Sequence, residues 1–221
     1  MTATERWLAT VWPLVKQHVP GPPATVVDVG CGSLGGFVPR LLAGGYDAVG
    51  IDPKAPDEAR YQRVEFEHAA LSGPVDAVVA STSLHHVADP AQVIDGIVAA
   101  LRPAGVVVVV EWASEQFDED TARWCFERLA DEEGWLHELR DEWRGSSLDW
   151  PSYFGGWIER EGLHSGEELV RLLDQRVERR ALAYGPYYFS DLADVTESEE
   201  QTAIEAGRIR ANRIDYVGAR R

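Results

Sequence analysis

Val26-Val27-Asp28-Val29-Gly30-Cys31-Gly32-Ser33-Leu34-Gly35-Gly36 decides the fold of this chain. The β-branched run Thr25–Val29 reads as a short strand, and it stops at Gly30-Cys31-Gly32. Phe37–Ala43 then reads as a helix. Glycines at a strand-to-helix turn let a ligand approach bare backbone, and the helix N-terminus offers free N–H groups. Gly30, Gly32 and Gly35 spell G-x-G-x-x-G. A second strand, Asp47–Ile51, ends at Asp52, twenty residues beyond Gly32. A carboxylate in that place can accept both hydroxyls of a ribose. Strand, glycine turn, helix and acid in this order point to a nucleoside-bearing ligand.

Working outward, Val75–Ala80 and Val106–Val110 read as further strands, and Ala91–Leu101 as a helix between them. Continuous β-branched runs between helices mark a parallel sheet covered on both faces. Residues 24–111 are therefore a β-α series and the core of a doubly wound α/β domain. Residues 1–23 hold an amphipathic helix over 5–18, with Trp7, Leu8, Val11, Trp12 and Val15 at helical spacing. Residues 112–176 form an insertion with six of the eight tryptophans. In it Ala122, Cys125, Phe126 and Leu129 make one helical stripe and Trp135, Leu139 and Trp143 another, followed by an aromatic loop at 150–157. Ser165 and Glu168 make a capping box. Residues 177–221 give a strand near Arg180–Tyr184, a helix over 196–211 and a last strand over 213–219. The expectation is one domain over 1–221: a Rossmann-like, mostly parallel seven-stranded sheet, with a Trp-rich helical insertion before its last two strands.

Composition limits the function. The 221 residues carry 21 basic and 37 acidic side chains, a net charge of −16. That field repels phosphate backbones and anionic lipid, so no nucleic-acid or membrane partner is expected. Only Cys31 and Cys125 are present, which suits a reducing compartment, and the chain opens on no signal-peptide pattern. A cytoplasmic protein, monomer or homodimer, is expected. Arginine outnumbers lysine 19 to 2, as in a GC-rich bacterial genome. No spaced His/Cys set suggests a metal.

Asp28 separates two cofactor classes. A nicotinamide dinucleotide lays a doubly charged pyrophosphate over the glycine turn, which Asp28 opposes. S-adenosylmethionine carries a net positive charge, which an acid favours; an Asp that merely caps its own turn is the plainer alternative. The stretches VVDVGCGSLGG (26–36), GIDP (50–53), DAVVASTSLHHVADP (76–90) and LRPAGVVVVVE (101–111) together resemble the class I S-adenosylmethionine-dependent methyltransferases. The resemblance implies that Asp28, Gly30, Cys31 and Gly32 cradle the methionine part and that Asp52 holds the ribose. It places Pro53, His68 and Ala69 around the adenine, and Ser81 near the methionine ammonium. Two positions depart from the family: Leu34 stands where a third glycine is common, and Pro103-Ala104-Gly105 replaces Pro-Gly-Gly, a change expected to be harmless.

His85 and His86 follow the strand at Val75–Ala80, beside the transferred methyl group in such folds. Imidazole titrates near neutrality, so either can take an acceptor's proton, His85 being preferred; a packed, hydrogen-bonded histidine is the structural alternative. Glu111 and Trp112 end the next strand. With the loop aromatics Trp150, Tyr153, Phe154 and Trp157 they are candidates to wall a pocket for a small organic acceptor. Trp135 and Trp143 read as helical core, and His137 and His164 as surface. Residues 112–150 hold 12 acids against 4 arginines, which disfavours a highly anionic acceptor. The expected activity is methyl transfer to O, N or C of a small organic acceptor, aromatic and natural-product molecules among the candidates. A dehydrogenase on the same topology and a non-catalytic cofactor-holding scaffold are the rivals.

Overall fold

The computed structural model describes residues 1–71, 73–130 and 134–221; the acids at 131–133 lie outside them. The first helix, α1 (Ala3–His18), is opened by a Thr2–Glu5 capping box and buries Trp7, Val11 and Val15. The core then alternates β1 (Thr25–Val29), α2 (Val38–Ala43), β2 (Asp47–Ile51), β3 (Tyr61–Gln62), β4 (Val75–Ser81), α3 (Pro90–Ala100) and β5 (Leu101–Trp112). Four helices follow: α4 (Glu119–Phe126), α5 (Trp135–Gly145), α6 (Trp150–Glu161) and α7 (Gly166–Arg176). The chain closes with β6 (Val177–Gly185), α8 (Glu197–Glu205) and β7 (Arg213–Arg220).

The seven strands lie in the order β3-β2-β1-β4-β5-β7-β6. All pairs from β3 to β5 are parallel, and β7 runs antiparallel to both its neighbours. From β1 the chain first moves outward to β2 and β3, then returns to β4 on the other side. That reversal opens a crevice at the carboxyl ends of β1 and β4, where doubly wound sheets bind ligands. Register puts Asp28 opposite Gly50 and Val29 opposite both Ile51 and Ala80, so Gly30, Asp52 and Ser81 emerge along one edge. Apolar side chains cover both faces: Val27, Val78, Ile94 and Leu169 belong to one cluster, Val26, Val79, Phe37 and Val15 to the other. A third cluster is rich in aromatics, among them Trp112, Phe117, Trp150 and Phe154 of the insertion, and takes in Tyr188 and Leu192 from beyond it.

Four readings change. The span 150–157 is not a loop. It is the first part of α6, capped by Asp149 accepting from Ser152 N and ended by Gly162 in the left-handed region (φ +64°). The helix expected over 196–211 stops at Glu205, because Gly207 turns the chain with φ +67°. Strand β3 was not anticipated. Ala104 adopts φ +61°, so the alanine in Pro103-Ala104-Gly105 is strained rather than neutral, by about 1–2 kcal/mol. Among the described residues no helix is long and apolar enough to cross a membrane.

Candidate active site

A cavity of about 520 Å³ opens over the crevice, lined among others by Asp28, Gly30, Cys31, Gly32, Asp52, Pro53, Ser81 and His86. Gly32 holds φ +63° and has open space where a Cβ would stand, so its backbone faces the cavity bare. Gly36 serves Asp28: a Cβ there would come within 2.3 Å of Asp28 Oδ2. Its absence lets the carboxylate accept from Phe37 N at 2.6 Å. Asp28 therefore caps its turn and also borders the cavity. Burial pushes Asp28 up to about 7; the Phe37 amide opposes this and the Asp52 charge adds to it. Asp52 accepts from Gly32 N (3.0 Å) and Lys54 N (2.6 Å), which stiffens both edges of the cavity. Desolvation, with Asp28 and Asp52 nearby, pushes the Cys31 thiol well above its ordinary value, so it stays protonated and packed.

Two further elements close this cavity. Thr4, Trp7 and Leu8 of α1 line it, and Trp7 Nε1 donates to Ser81 Oγ at 2.9 Å. The N-terminal helix is thus part of the site, which its amphipathic pattern alone did not reveal. On the other side the wall is Val64, Glu65, Phe66 and Glu67, not His68 and Ala69. His68 is exposed at the end of a 3₁₀ turn over Phe66–His68, and Ala69 packs against the sheet core.

A second cavity of about 480 Å³ adjoins the first, and the two share Thr82 and His86. Thr82 has φ +51°, an outlier for a β-branched residue, and it turns the chain from β4 into the 3₁₀ turn Leu84–His86. Glu111, fully buried at the end of β5, receives Ser83 N (2.7 Å) and Leu84 N (2.6 Å) on Oε1. Its Oε2 meets His85 Nδ1 at 2.5 Å. Burial would push Glu111 up, but the His85 charge and hydrogen bond and the two amides overcome it and hold it below its ordinary value. Glu111 touches neither cavity; it orients His85, whose ring borders the second. Desolvation, with His85 alongside (ring centroids 4.1 Å apart), lowers His86 to about 4, so it is neutral at physiological pH. His164 is not a solvated residue: its Nε2 meets Val87 O (3.0 Å) and its backbone N donates to His85 O (3.0 Å).

The aromatic wall differs from the expected one. Trp112 and Trp157 line the second cavity, with Trp135 and Tyr187. Trp150, Tyr153 and Phe154 turn inward instead. Trp150 is 2% exposed and donates from Nε1 to Phe117 O (2.8 Å); Tyr153 OH donates to Leu139 O, and Phe154 stacks between Trp150 and Trp157. Tyr187 is held by a buried carboxylate: Glu200 accepts from the amides of Tyr187, Tyr188 and Phe189 at 2.6–3.1 Å. Trp157→Ala should therefore impair acceptor use with little change in Tm or cofactor affinity. Trp150→Ala should lower stability by about 3–5 kcal/mol, read by denaturant unfolding. Equal destabilisation by both would make Trp157 core packing as well.

Glycine turn, paired carboxylates and an adjoining aromatic cavity at the switch point mark a doubly wound α/β protein with a ligand crevice at the carboxyl ends of its strands. Residues 5–156 match the family described as a methyltransferase domain, so the chain belongs to that family and has the class I S-adenosylmethionine-dependent fold. A Ubiquinone biosynthesis O-methyltransferase of Psychrobacter arcticus is 34% identical over 102 residues, which is 38% of this chain and 39% of that relative. The chain thus matches about two fifths of the length of such curated relatives. Two crystal structures share the fold. The N-methyltransferase NodS of Bradyrhizobium japonicum WM9 with S-adenosyl-L-homocysteine has a TM-score of 0.55 at 12% identity, covering 99% of this chain and 88% of its own. Geranyl diphosphate C-methyltransferase of Streptomyces coelicolor A3(2) has 0.58 at 14%, covering 96% and 80%.

Proposed function

We propose that the protein transfers a methyl group from S-adenosylmethionine in the first cavity to a small organic acceptor in the second. The observation that carries this is the meeting of the two cavities at Thr82 and His86. The charges of the first cavity fit the donor. Asp28, Asp52, Glu65 and Glu67 line it against a single Lys54, a setting adverse to pyrophosphate and favourable to a cation. When bound, S-adenosylmethionine supplies a sulfonium-activated methyl group.

In this reading Asp28 and the bare backbone at Gly30–Gly32 hold the methionine part. Asp52 takes the ribose hydroxyls, and Val64–Glu67 with Pro53 border the base. Ser81, tied to Trp7, lies toward the ammonium. The chain's further task is to align the acceptor and exclude water, which Trp7, Trp112, Trp157 and Tyr187 do by closing the two cavities. His85 accepts the acceptor's proton. Glu111 takes the hydrogen of Nδ1, which leaves the Nε2 lone pair free toward the second cavity. The relatives act on O, N or C by their names, so the fold alone leaves the acceptor atom open. Two free, buried cysteines accord with a reducing compartment.

Calorimetry tests this reading. S-adenosylmethionine and S-adenosylhomocysteine should bind and NADH should not. Asp52→Ala should weaken binding by about 1.5–3 kcal/mol, the scale of a charge-assisted hydrogen-bond pair. Tight NADH binding with no response to either sulfur nucleoside would overturn it.

A further inference from the structure

The second cavity changes character from floor to mouth. Its most buried lining residues are His85, 4% exposed, and Trp112, 3%; Trp135, Trp157 and Tyr187 are half-buried. At its mouth are three exposed carboxylates, Glu138 and Glu142 one turn apart on α5 and Glu161 at the end of α6. No arginine or lysine lines it among the described residues. Arg160 lies just off the wall, on Glu142 at 2.8 Å and on Glu161 at 3.7 Å, and so offsets one of the three charges. Glu138 makes no ion pair or side-chain hydrogen bond among the described residues. At the opposite end the buried His85 spends Nδ1 on Glu111, and its Nε2 meets no protein partner among the described residues. A molecule in this cavity therefore meets a hydrogen-bonding nitrogen at depth, indole and phenol faces along its length, and negative charge where it emerges.

We infer that the acceptor is an amphipathic cation: a flat or apolar body with a basic amine at the end remote from the methylated atom. This rests on the methyltransferase reading of the site and specifies its substrate class. Aromatic faces attract cations as well as apolar groups, and the carboxylates add a Coulomb preference that an anionic or neutral acceptor lacks. The same rim repels carboxylate- and phosphate-bearing molecules, a basis for selecting among acceptors of similar shape.

Three phenols of matched size test this: tyramine (cation), 4-ethylphenol (neutral) and 3-(4-hydroxyphenyl)propionate (anion). Each is titrated by calorimetry into protein saturated with S-adenosylhomocysteine, whose own binding is measured first. Tyramine should bind at least about fivefold more tightly than 4-ethylphenol, and the propionate most weakly. The preference should shrink between 20 mM and 500 mM NaCl as the exposed carboxylates are screened. In the double variant Glu138→Gln, Glu161→Gln, tyramine affinity should fall about 5–20-fold while 4-ethylphenol and S-adenosylhomocysteine stay within about twofold. The inference is overturned if tyramine binds no better than the other two, the case of no measurable binding by any included, or if the double variant keeps the preference. Failure of S-adenosylhomocysteine to bind the wild type would instead remove the methyltransferase reading itself.

Discussion

Asp28→Asn is expected to stabilise the ligand-free protein at pH 8 and, in the same variant, to weaken S-adenosylmethionine binding. An unfolded aspartate ionises near 3.8, whereas buried Asp28 does so at about 7. The folded state thus holds a proton that the unfolded state releases across the interval between those values. Asp28's contribution to stability is fully present below about 4 and is lost as pH rises through about 7. Three units correspond to about 4 kcal/mol, an upper bound for what asparagine recovers above pH 7. Asparagine keeps an oxygen for Phe37 N, so the cap survives. A gain of about 2–4 kcal/mol at pH 8, or roughly 5–15 °C in Tm, should vanish near pH 4. On the proposed reading, in which Asp28 faces the donor's positive charge, affinity should fall by about 10²-fold. Wild-type binding near pH 6.5 should also release protons, measurable as a dependence of the calorimetric heat on buffer ionisation. A variant that is destabilised at pH 8, or a stability difference flat from pH 4 to pH 8, would show that Asp28 ionises at no cost.

A group with that pH behaviour would destabilise its own fold at neutral pH, which packing alone does not explain. Stability and activity trade off at such positions, and proteins retain them where function requires the charge. Asp28 was legible because a parallel strand buried on both faces is written as an unbroken β-branched run, and a lone acid within that run stands out. The same holds for Asp52 and Glu111, each a single carboxylate closing an apolar strand. Glu111 lines neither cavity, against the expectation, because its oxygens are engaged by Ser83 N, Leu84 N and His85 Nδ1, partners far from it in the sequence.

The aromatic wall was legible as a set and not as individuals. The sequence reads Trp135 as helical core and Trp150 as pocket wall, and the structure reverses them, because which one meets the cavity depends on the rotation of α5 and α6 about their axes. Helix α6 was hidden by Gly155 and Gly156, both poor helix formers. It persists because Asp149 and Gly162 cap it and because Trp150, Tyr153 and Phe154 bury one face; tertiary packing overrides propensity. The Asp149-Trp150-Pro151 start and the Gly162 stop were the available signals. Tyr187 carried no signal, since Glu200, which fixes it, lies thirteen residues away. Strand β3 is two residues long, too short for any period to register.

His85→Ala and Glu111→Gln are expected to lower kcat by about 10²–10⁴-fold and about 10²-fold or more with a hydroxyl- or ammonium-bearing acceptor, the range of general-base catalysis. Both should leave S-adenosylhomocysteine affinity within about threefold, because neither side chain lines the first cavity. Glutamine at 111 preserves an oxygen for the amides of Ser83 and Leu84 but can present N–H to His85 Nδ1. That would drive the imidazole proton onto Nε2 and remove the lone pair facing the acceptor, so geometry persists while basicity is lost. If the two residues act as one unit, the double variant should be scarcely slower than His85→Ala alone. His86→Ala should differ in kind, since His86 borders both cavities: donor affinity and acceptor KM should move together. Because His86 is neutral above about pH 4, a kcat limb near that pH, abolished in its variant, would transfer the base to it. Losses of only a few-fold in His85→Ala and Glu111→Gln would mean that alignment alone drives the transfer. The buried pair would then serve to hold the turn at Thr82 between the two cavities, and the variants' cost would be read in Tm instead of kcat.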